Sequence, residues 1–407
     1  MTPARIRWEG ILARAARHAV PIAAMAFTGF LLGAVHGSTA EVQSIQAPLV
    51  RVLIDATREP FAIRSAVRVS VQDDRSRTSL TELPAGTHLI QRFGAKFQVG
   101  SVLLATDRLR FTAAAGKPLG VRAKSFPGSI AVYANPDGRM SIVNLVDLES
   151  YVAGVVGPEI GYSAPAEAQK AQAVAARTYA VSRAKEMRAQ SPNGVFDLYA
   201  DTRSQVYAGA CTHEKVWQAV WATRGTVMTD RGNVFVAYYH ATCGGVTESA
   251  VTLFPAHKCP PLAGGVRCDG CKGAARRVWT TTIPEWRLRS RLSEAGYAVG
   301  PLVSISPVDR TPHGRNAHLL LVHAGAKGGS LQIAAQNFRA VAGDDIRSTR
   351  FRVVRGKDGF RFEGEGWGHG VGLCQEGALG LARAGRTWTQ ILDTYYPGHA
   401  RVQAYGE

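Results

Sequence analysis

Gly157-Pro158-Glu159-Ile160-Gly161-Tyr162-Ser163-Ala164-Pro165 runs directly into an alanine-rich segment, residues 166–180, and this junction organises the rest of the chain. Ser163 is a suitable N-cap, and Pro165 fits a first helical turn, where a missing N–H is tolerated. The residues that follow have high helix propensity. The sequence therefore predicts a short helix over about 148–156, a loop that carries Glu159, and a long helix over about 166–190.

Two cations of the long helix have a spacing that allows joint function. Seven residues advance a helix by almost two turns, so Lys170 and Arg177 are expected on one face, about 10 Å apart. They either bind a ligand or form a solvated basic face. Glu159 is expected near the N-terminus of this helix, where the dipole favours the ionised carboxylate. A general acid at this position would need burial to raise its pKa.

Three motifs carry a family resemblance. They are Glu149-Ser150-Tyr151-Val152-Ala153-Gly154-Val155-Val156 with Pro158-Glu159 and the run 167–180; Gly366-Trp367-Gly368-His369-Gly370-Val371-Gly372-Leu373-Cys374-Gln375-Glu376-Gly377-Ala378; and Ile391-Leu392-Asp393-Thr394-Tyr395-Tyr396-Pro397-Gly398. In this order and spacing they resemble the stage II sporulation protein D (SpoIID)/LytB family over about residues 50–402. The expected fold is α+β, a mixed SpoIID-like catalytic core preceded by a β-rich accessory region.

The resemblance implies a peptidoglycan lytic transglycosylase that cleaves the MurNAc–GlcNAc backbone of peptide-stripped glycan strands and leaves 1,6-anhydro-MurNAc ends. Glu159 would act alone as acid and base, with Lys170 and Arg177 as clamps for the sugar carboxylates. The alternative is a LytB-like amidase enhancer that binds glycan without cleaving it. Ile160 and Glu376 depart from the residues usual in the family, but Glu159 is intact.

Further substrate-binding candidates lie in two segments. Within residues 201–209, which resemble a groove-lining family segment, Ser204, Gln205 and Tyr207 are expected to contact sugar, or else to be ordinary strand and turn residues. Glycines alternate with side chains over residues 366–372. If that run is extended, Trp367 and His369 share one face. Trp367 would stack on a sugar and His369 would bond substrate or orient Glu159; the alternative is a tightly packed glycine strand with a core histidine.

Four cysteines predict a structural zinc site. Cys268 and Cys271 have the two-residue gap of a metal-binding turn, and Cys243 and Cys259 complete a closed tetrahedral set. His240 or His257 could replace one thiolate. Two disulfides are the competing interpretation, because export makes oxidation available. The resemblance implies zinc in some family members. Cys211 and Cys374 are left over, either free and buried or paired with each other.

Charge and the N-terminus together predict location and partners. The formal net charge of +17 calls for an anionic partner. Four arginines precede an apolar run over residues 19–35, and Ser38-Thr39-Ala40 follows it, as in a signal peptide. Residues 1–40 are thus a cleaved secretory signal or, alternatively, a retained membrane anchor. The expected location is the periplasm or cell envelope, with peptidoglycan strands and a cell-wall amidase as partners. Nucleic acid is not expected, and membrane contact is expected only if the segment is retained.

Composition and patterning predict the domain organisation. A hydrophobic fraction of 46% and a charged fraction of 19% describe a globular chain. Short β-branched runs with glycine turns predict a β-rich domain over 46–125. Residues 126–402 would form the SpoIID/LytB-type core, with a cysteine-rich insert at 243–271. Asn135-Pro136-Asp137-Gly138 predicts a hairpin at the start of this core.

Overall fold

A computed structural model describes residues 47–325 and 328–405, all of which belong to one compact unit. It confirms the α+β class and the β-rich N-terminal region. The predicted signal or anchor at 1–40 lies outside the described residues. Within the described ranges, the helices are too short or too polar to cross a bilayer.

Strands outnumber helices in the part of the chain that the structure describes. The strands are β1 (Leu49–Thr57), β2 (Phe61–Ser65), β3 (Val69–Asp73), β4 (Ser79–Leu83), β5 (Gly86–Phe93), β6 (Lys96–Val99), β7 (Val102–Leu104), β8 (Arg108–Ala113), β9 (Leu119–Val121), β10 (Lys124–Phe126), β11 (Ser129–Ala134), β12 (Met140–Asp147), β13 (Leu198–Tyr199), β14 (Thr226–Asp230), β15 (Asn233–Val234), β16 (Tyr239–His240), β17 (Val278–Pro284), β18 (Leu302–Arg310), β19 (Asn316–His323), β20 (Gly329–Ala334), β21 (Phe351–Arg355), β22 (Gly359–Glu365), β23 (Leu373–Cys374) and β24 (Ala400–Gln403). The helices are α1 (Leu148–Ile160), α2 (Ala166–Gln190), α3 (Glu214–Trp221), α4 (Ala250–Leu253), α5 (Glu285–Glu294), α6 (Ala335–Ala342), α7 (Gln375–Arg383) and α8 (Trp388–Tyr395).

The N-terminal strands are continuous with the core. A seven-stranded sheet has the order β13-β1-β12-β11-β8-β3-β4, and a six-stranded sheet has the order β10-β9-β2-β5-β6-β7. β1 lies between β12 and β13, with Val52 opposite Asn144 on one side and Leu198 on the other. One hydrophobic core spans both sheets and α1 and α2. Residue 125, where the sequence predicts a domain boundary, lies within β10, and the division of the chain into two domains stays a prediction.

Helix α2 is the central rod of the core. It packs against α1, α3, α7, α8 and β14. Alanines are buried around its circumference, as expected for a helix with no solvated face along much of its length. Small side chains let the neighbouring helices approach closely, so the alanine-rich composition reflects burial on several sides.

Helix α1 is longer than predicted, because it continues through Pro158 to Ile160. A proline inside a helix has no N–H for the carbonyl four residues earlier. Here that carbonyl, on Gly154, accepts instead from the N–H of Ala208 at 3.0 Å. Glu159 consequently lies on the last turn of α1 and not in a loop, and the segment around Ala208 is bonded to the same helix.

A second hydrophobic core lies between residues 279 and 362. It is built from β17 to β22 with α5 and α6, arranged as the sheets β17-β22-β21 and β18-β19-β20. Its buried aromatic residues, Phe338, Phe351 and Phe362, pack on one another. The sequence did not predict that these elements form a unit with a core of its own.

Residues 366–372 form a loop and not the extended run that was considered from the sequence. Gly366, Gly368, Gly370 and Gly372 have φ of 83°, 104°, 88° and 70°, in the left-handed region that favours glycine. The alternation of glycines therefore reflects backbone conformation. The loop leads straight into β23, which pairs in parallel with β16, and then into α7.

Candidate active site and metal centre

Glu159 is half-buried and its two carboxylate oxygens have different partners. Oε1 accepts the backbone N–H of Val206 at 2.8 Å, and Oε2 accepts the side-chain amide of Gln375 at 3.2 Å. Val206 lies in the same segment as Ala208, whose N–H bonds the Gly154 carbonyl of α1. Gln375 is the first residue of α7. The first and second motifs of the sequence thus meet at this carboxyl group.

The pKa of Glu159 is raised above its ordinary value. Burial is the main cause, and the Val206 N–H, the Gln375 amide and the Tyr239 hydroxyl oppose it by stabilising the charged form. The position at the C-terminal end of α1 acts in the same direction as burial, because the helix dipole disfavours negative charge there. From the sequence, Glu159 was expected near the N-terminus of the long helix, where the helix dipole would lower its pKa.

A chain of buried hydrogen bonds leads to Glu159 from behind. The Tyr151 hydroxyl donates to Oε1 of Gln205 at 3.0 Å, and Nε2 of Gln205 donates to the Tyr239 hydroxyl at 2.9 Å. Tyr239 then faces Glu159. Gln205, predicted to bond sugar, is 1% exposed and so holds Tyr239 in place from within the core.

Lys170 is half-buried and paired with a neighbour on α2. Its Nζ lies 2.7 Å from Oε1 of Glu167, and the other oxygen of Glu167 accepts the N–H of Trp388 at 2.7 Å. No contact between Lys170 and Glu159 is found in the described residues. Glu167, through its bond with Trp388, joins α2 to the start of α8.

Arg177 is 0% exposed, so the structure places it in the core and not on the basic face that the sequence predicted. Nε and Nη2 bind the two oxygens of Glu149, at 3.1 and 2.7 Å. The remaining donors reach the carbonyls of Thr226 and Val220. With its charge paired and its donors occupied, Arg177 is a structural residue and cannot clamp a substrate carboxylate in this conformation.

The two other candidates of the 201–209 segment also have structural partners. Half-buried Ser204 accepts the N–H of Tyr199 at 3.1 Å. Tyr207 is completely buried, and its hydroxyl donates to Asn144 at 2.8 Å. Tyr207 presses against the bare backbone of Gly154 in α1. Its burial corrects the prediction that Tyr207 contacts sugar.

His369 is half-buried among rings. It makes edge contacts with Tyr238, His240 and Phe254, and its Nδ1 accepts the N–H of Val371 at 3.0 Å. Burial, and then the neighbouring His240, lower the pKa of His369 well below its usual range. The ring is therefore neutral and carries its proton on Nε2. It has no contact with Glu159 in the described part of the chain.

Trp367 is half-buried and holds arginines over its ring. The guanidinium carbon of Arg347 lies 3.9 Å from the ring centroid, and that of Arg276 lies 5.3 Å away. The Trp367 backbone exchanges two hydrogen bonds with Thr242. The side chain is accessible in part, unlike those of Gln205 and Tyr207.

Four cysteine sulfurs converge, but the set differs from the prediction. Cys243, Cys268, Cys271 and Cys374 are buried, with all four Sγ atoms within 4.8 Å of one another. Cys374, which the sequence analysis left over, takes the place given to Cys259. Cys259 is half-buried elsewhere, and burial raises its thiol pKa to about 11. Cys211 also lies outside the cluster, as do His240 and His257.

The sulfur atoms of the cluster are close enough together to bind one metal ion. Sulfurs bound to one zinc at about 2.3 Å lie about 3.8 Å apart, and Cys243 and Cys271 are separated by 3.7 Å. Backbone N–H groups of Gly245 and Gly377 donate to the sulfurs of Cys243 and Cys374 at 3.3 Å, and such bonds orient the ligand atoms in metal sites. No disulfide joins cysteines within the described ranges.

Sequence reasoning missed Gln375 and Tyr239 as neighbours of Glu159. Gln375 lies inside the second motif, but its motif position alone did not indicate where its amide points. Tyr239 follows a hydrophobic run that looked like an ordinary strand. The parallel pairing of Tyr239 with Leu373 sets Tyr239 and the nearby Gln375 beside Glu159. This pairing is a tertiary contact, which the sequence pattern does not reveal.

Two family models match parts of this chain. The family model for stage II sporulation protein (SpoIID) matches residues 136–229, which contain Glu159 and Val206. A second model, for a domain of unknown function (DUF8618), matches residues 278–372 and so coincides with the second hydrophobic core.

Individual relatives cover more of the chain. An uncharacterized protein of Brachyspira hyodysenteriae (strain ATCC 49526 / WA1) is 33% identical over 261 residues, 64% of this chain and 67% of the relative. Stage II sporulation protein D of Bacillus amyloliquefaciens is 30% identical over 297 residues, 68% of this chain and 79% of the relative. The amidase enhancer of Bacillus subtilis (strain 168) is 24% identical over 286 residues, 60% of this chain and 39% of the relative. The chain belongs to the SpoIID/LytB family.

Proposed function

We propose that this protein is an exported peptidoglycan lytic transglycosylase, in which Glu159 is the single acid and base. The family relation supports a function in the cell wall. The observation that carries the enzymatic assignment is the half-buried Glu159 carboxyl, whose pKa is raised chiefly by burial. A carboxyl group that keeps its proton to higher pH than usual is suited to protonate a leaving group.

The proposed reaction needs one carboxyl group. Glu159 gives its proton to the glycosidic oxygen, and the bond from that oxygen to the anomeric carbon of MurNAc breaks. The 6-hydroxyl of the same MurNAc attacks the anomeric carbon and passes its proton to the Glu159 carboxylate. The products are a shortened strand and a 1,6-anhydro-MurNAc end, and Glu159 is protonated again. Hydrolytic glycosidases use a second carboxyl group to activate water, a role that this internal hydroxyl makes unnecessary.

The hydrogen bonds of Glu159 stabilise its charged state. Val206 N–H and the Gln375 amide donate to the carboxylate that forms when the proton leaves. The buried chain from Tyr151 through Gln205 fixes Tyr239 beside it. Donors held by the core need little rearrangement as charge develops, which favours the charged intermediate state.

A non-catalytic role in stimulating an amidase is the second candidate, because one relative is named an amidase enhancer. A glycan-binding module would use the same face without proton transfer by Glu159. It would leave strands uncut and increase the rate of a separate cell-wall amidase.

We further propose that Cys243, Cys268, Cys271 and Cys374 bind one structural zinc ion. Four thiolates close the coordination sphere, so the metal would stabilise the fold and would not act on substrate. Cys374 directly precedes Gln375, and a metal bond at Cys374 would help to fix the start of α7.

The enzymatic proposal is tested with peptide-stripped glycan strands and mass spectrometry of the products. We expect anhydro-ended fragments from the wild-type protein and a loss of at least about 100-fold in rate for Glu159→Gln. Glu376→Gln, a half-buried acid on α7, is the matched control and should retain activity. Unchanged fragments from Glu159→Gln would contradict the assignment. Uncut strands together with faster amidase turnover would favour the enhancer.

A further inference from the structure

The side chains of Trp367, Arg347 and Arg276 form one cluster, here called the tryptophan–arginine cluster. Arg347 is half-buried and lies 3.9 Å from the centroid of the indole ring, while exposed Arg276 lies 5.3 Å from it. The backbone of Trp367 is fixed by hydrogen bonds with Thr242 at 2.8 and 3.1 Å. The ring is therefore a fixed platform with two cations over it.

The two arginines of the cluster have no carboxylate partner among the described residues. Arginines nearby are neutralised: Arg350 lies 3.2 Å from Glu365, and Arg352 pairs with Glu363. Two unpaired positive charges over one ring repel each other. An anion bound between or beside them would relieve that repulsion.

Stacking leaves the binding edge of a guanidinium free. The face of Arg347 is used by the indole, but its N–H donors lie in the plane of the group and point away from that contact. A planar fork of N–H groups matches the two oxygens of a carboxylate. The partly exposed indole offers apolar contact to a neighbouring sugar ring. Together these groups suit a sugar that carries a carboxylate.

We propose that the tryptophan–arginine cluster binds the free lactyl carboxylates of the glycan strand and so selects peptide-stripped strands. This inference rests on the proposed function for the identity of the strand. It assigns to Arg276 and Arg347 the role that the sequence gave to Lys170 and Arg177, whose charges are paired with Glu167 and Glu149. The loop that carries Trp367 continues to Gln375, so one segment contributes both to the carboxylate site and to the Glu159 site.

Binding of two strand preparations tests the proposal in full-length protein carrying Glu159→Gln, which keeps strands intact. One preparation has free lactyl carboxylates, and in the other they are reduced to alcohols. We expect the parental protein to bind the carboxylate form at least about tenfold more tightly. In the double variant Arg276→Gln/Arg347→Gln, the ratio of affinities for the carboxylate and the reduced strands should fall to about one. Arg352→Gln, an exposed arginine of the same unit, should retain the parental ratio.

Two further measurements distinguish charge from geometry. A double change to lysine keeps both charges but removes the planar fork, and we expect it to recover only part of the preference. Inorganic polyphosphate should compete weakly, because it has no sugar ring to contact the indole of Trp367. If polyphosphate competes as strongly as strands with free carboxylates, and this competition is lost in the double glutamine variant, the cluster is a general polyanion site and the proposal is overturned.

The outcomes also separate this inference from the proposed function. A parental protein that binds both strand forms alike, or a double glutamine variant that keeps the preference, overturns the inference whether or not strands are cut. Cleavage that persists in Glu159→Gln overturns the catalytic assignment and leaves the carboxylate preference standing. Melting temperatures of all variants should stay near that of the parent, since both arginines reach solvent.

Discussion

The carboxyl group of Glu159 is held between opposing influences on its pKa. Burial and the C-terminal end of α1 favour the protonated form, whereas Val206, Gln375 and Tyr239 favour the charged form. Burial prevails, so the pKa is raised. A residue with these opposed neighbours can release a proton and take one back without a large change in its surroundings.

Changing Gln375 to leucine should move the pH profile of strand cleavage. The Gln375 amide lowers the pKa of Glu159 by bonding the carboxylate, so its loss raises that pKa further. The general acid must be protonated, and kcat/KM therefore falls as pH rises through the pKa. We expect the falling alkaline limb of kcat/KM to move to higher pH in Gln375→Leu. Gln98→Leu, in the N-terminal sheet, is the control; a limb that stays in place or moves to lower pH would contradict the contact.

Arg177 should matter for stability more than any exposed arginine. Arg177→Met leaves Glu149 buried without its cation, and we expect a loss of about 3–5 kcal/mol in the free energy of unfolding. Arg203→Met removes an exposed pair with Asp201 and should change it by less than about 1 kcal/mol. Denaturant titration measures both. A small effect for Arg177→Met, with lost glycan binding, would support the clamp predicted from sequence.

These residues show what sequence could and could not supply. Glu159 was identifiable because it is the acid of a recognisable motif. Arg177 was assigned to the wrong environment, since a seven-residue spacing from Lys170 says nothing about which helices cover that face. The buried alanines around it make space for other helices.

At the scale of elements, the loop 366–372 is defined by backbone conformation. All four of its glycines have positive φ, and they also lie close to other chain segments. A Cβ on Gly370 would lie 2.4 Å from Nη2 of Arg315, and one on Gly372 would lie 2.0 Å from the carbonyl oxygen of Tyr238. From the sequence, the glycines were considered only for an extended run, whereas positive φ and close contacts require them here.

Gly372→Ala should be much more damaging than Gly100→Ala. Gly372 and Gly100 have left-handed φ of 70° and 58°, so alanine at either position costs about 1–2 kcal/mol of backbone strain. At Gly372 the new methyl group meets backbone atoms, whereas at Gly100 no atom lies within 4 Å of it. We expect Gly372→Ala to lose about 1–3 kcal/mol more free energy of unfolding than Gly100→Ala. Equal losses in denaturant titrations of the two variants would show that the loop can shift to accept the methyl group.

Element positions were predicted better than element ends. The hairpin at 135–138 and the long helix occur as expected. Helix α1 was predicted to end at about residue 156, because a proline such as Pro158 normally interrupts a helix. Its continuation depends on the bond from the Ala208 N–H to the Gly154 carbonyl, which is a long-range contact. Helix α2 begins at Ala166 after Pro165, and Ser163 is not its N-cap.

At the scale of the whole molecule, residues 278–372 form a unit set into the family core. Cys268 and Cys271 precede this unit in the chain, and Cys374 follows it. The cysteine cluster therefore joins the chain entering the unit to the chain leaving it, and Cys243 ties both to β16. Sequence spacing could identify the Cys-x-x-Cys turn. It could not identify Cys374, which is over 100 residues from the turn and meets it only in the folded chain.

The cluster membership gives a prediction about metal content and local stability. We expect about one zinc per chain in the native protein, lost in Cys374→Ser and kept in Cys259→Ser, because only Cys374 belongs to the four converging sulfurs. Removing zinc by chelation should speed hydrogen exchange around residues 243–277 and 366–380, while the N-terminal sheet stays protected, since the metal would join only those segments. Elemental analysis and exchange mass spectrometry measure the two effects. Zinc that survives Cys374→Ser but not Cys259→Ser would restore the ligand set predicted from sequence, and native protein with no zinc and oxidised thiols would indicate disulfides in this part of the chain.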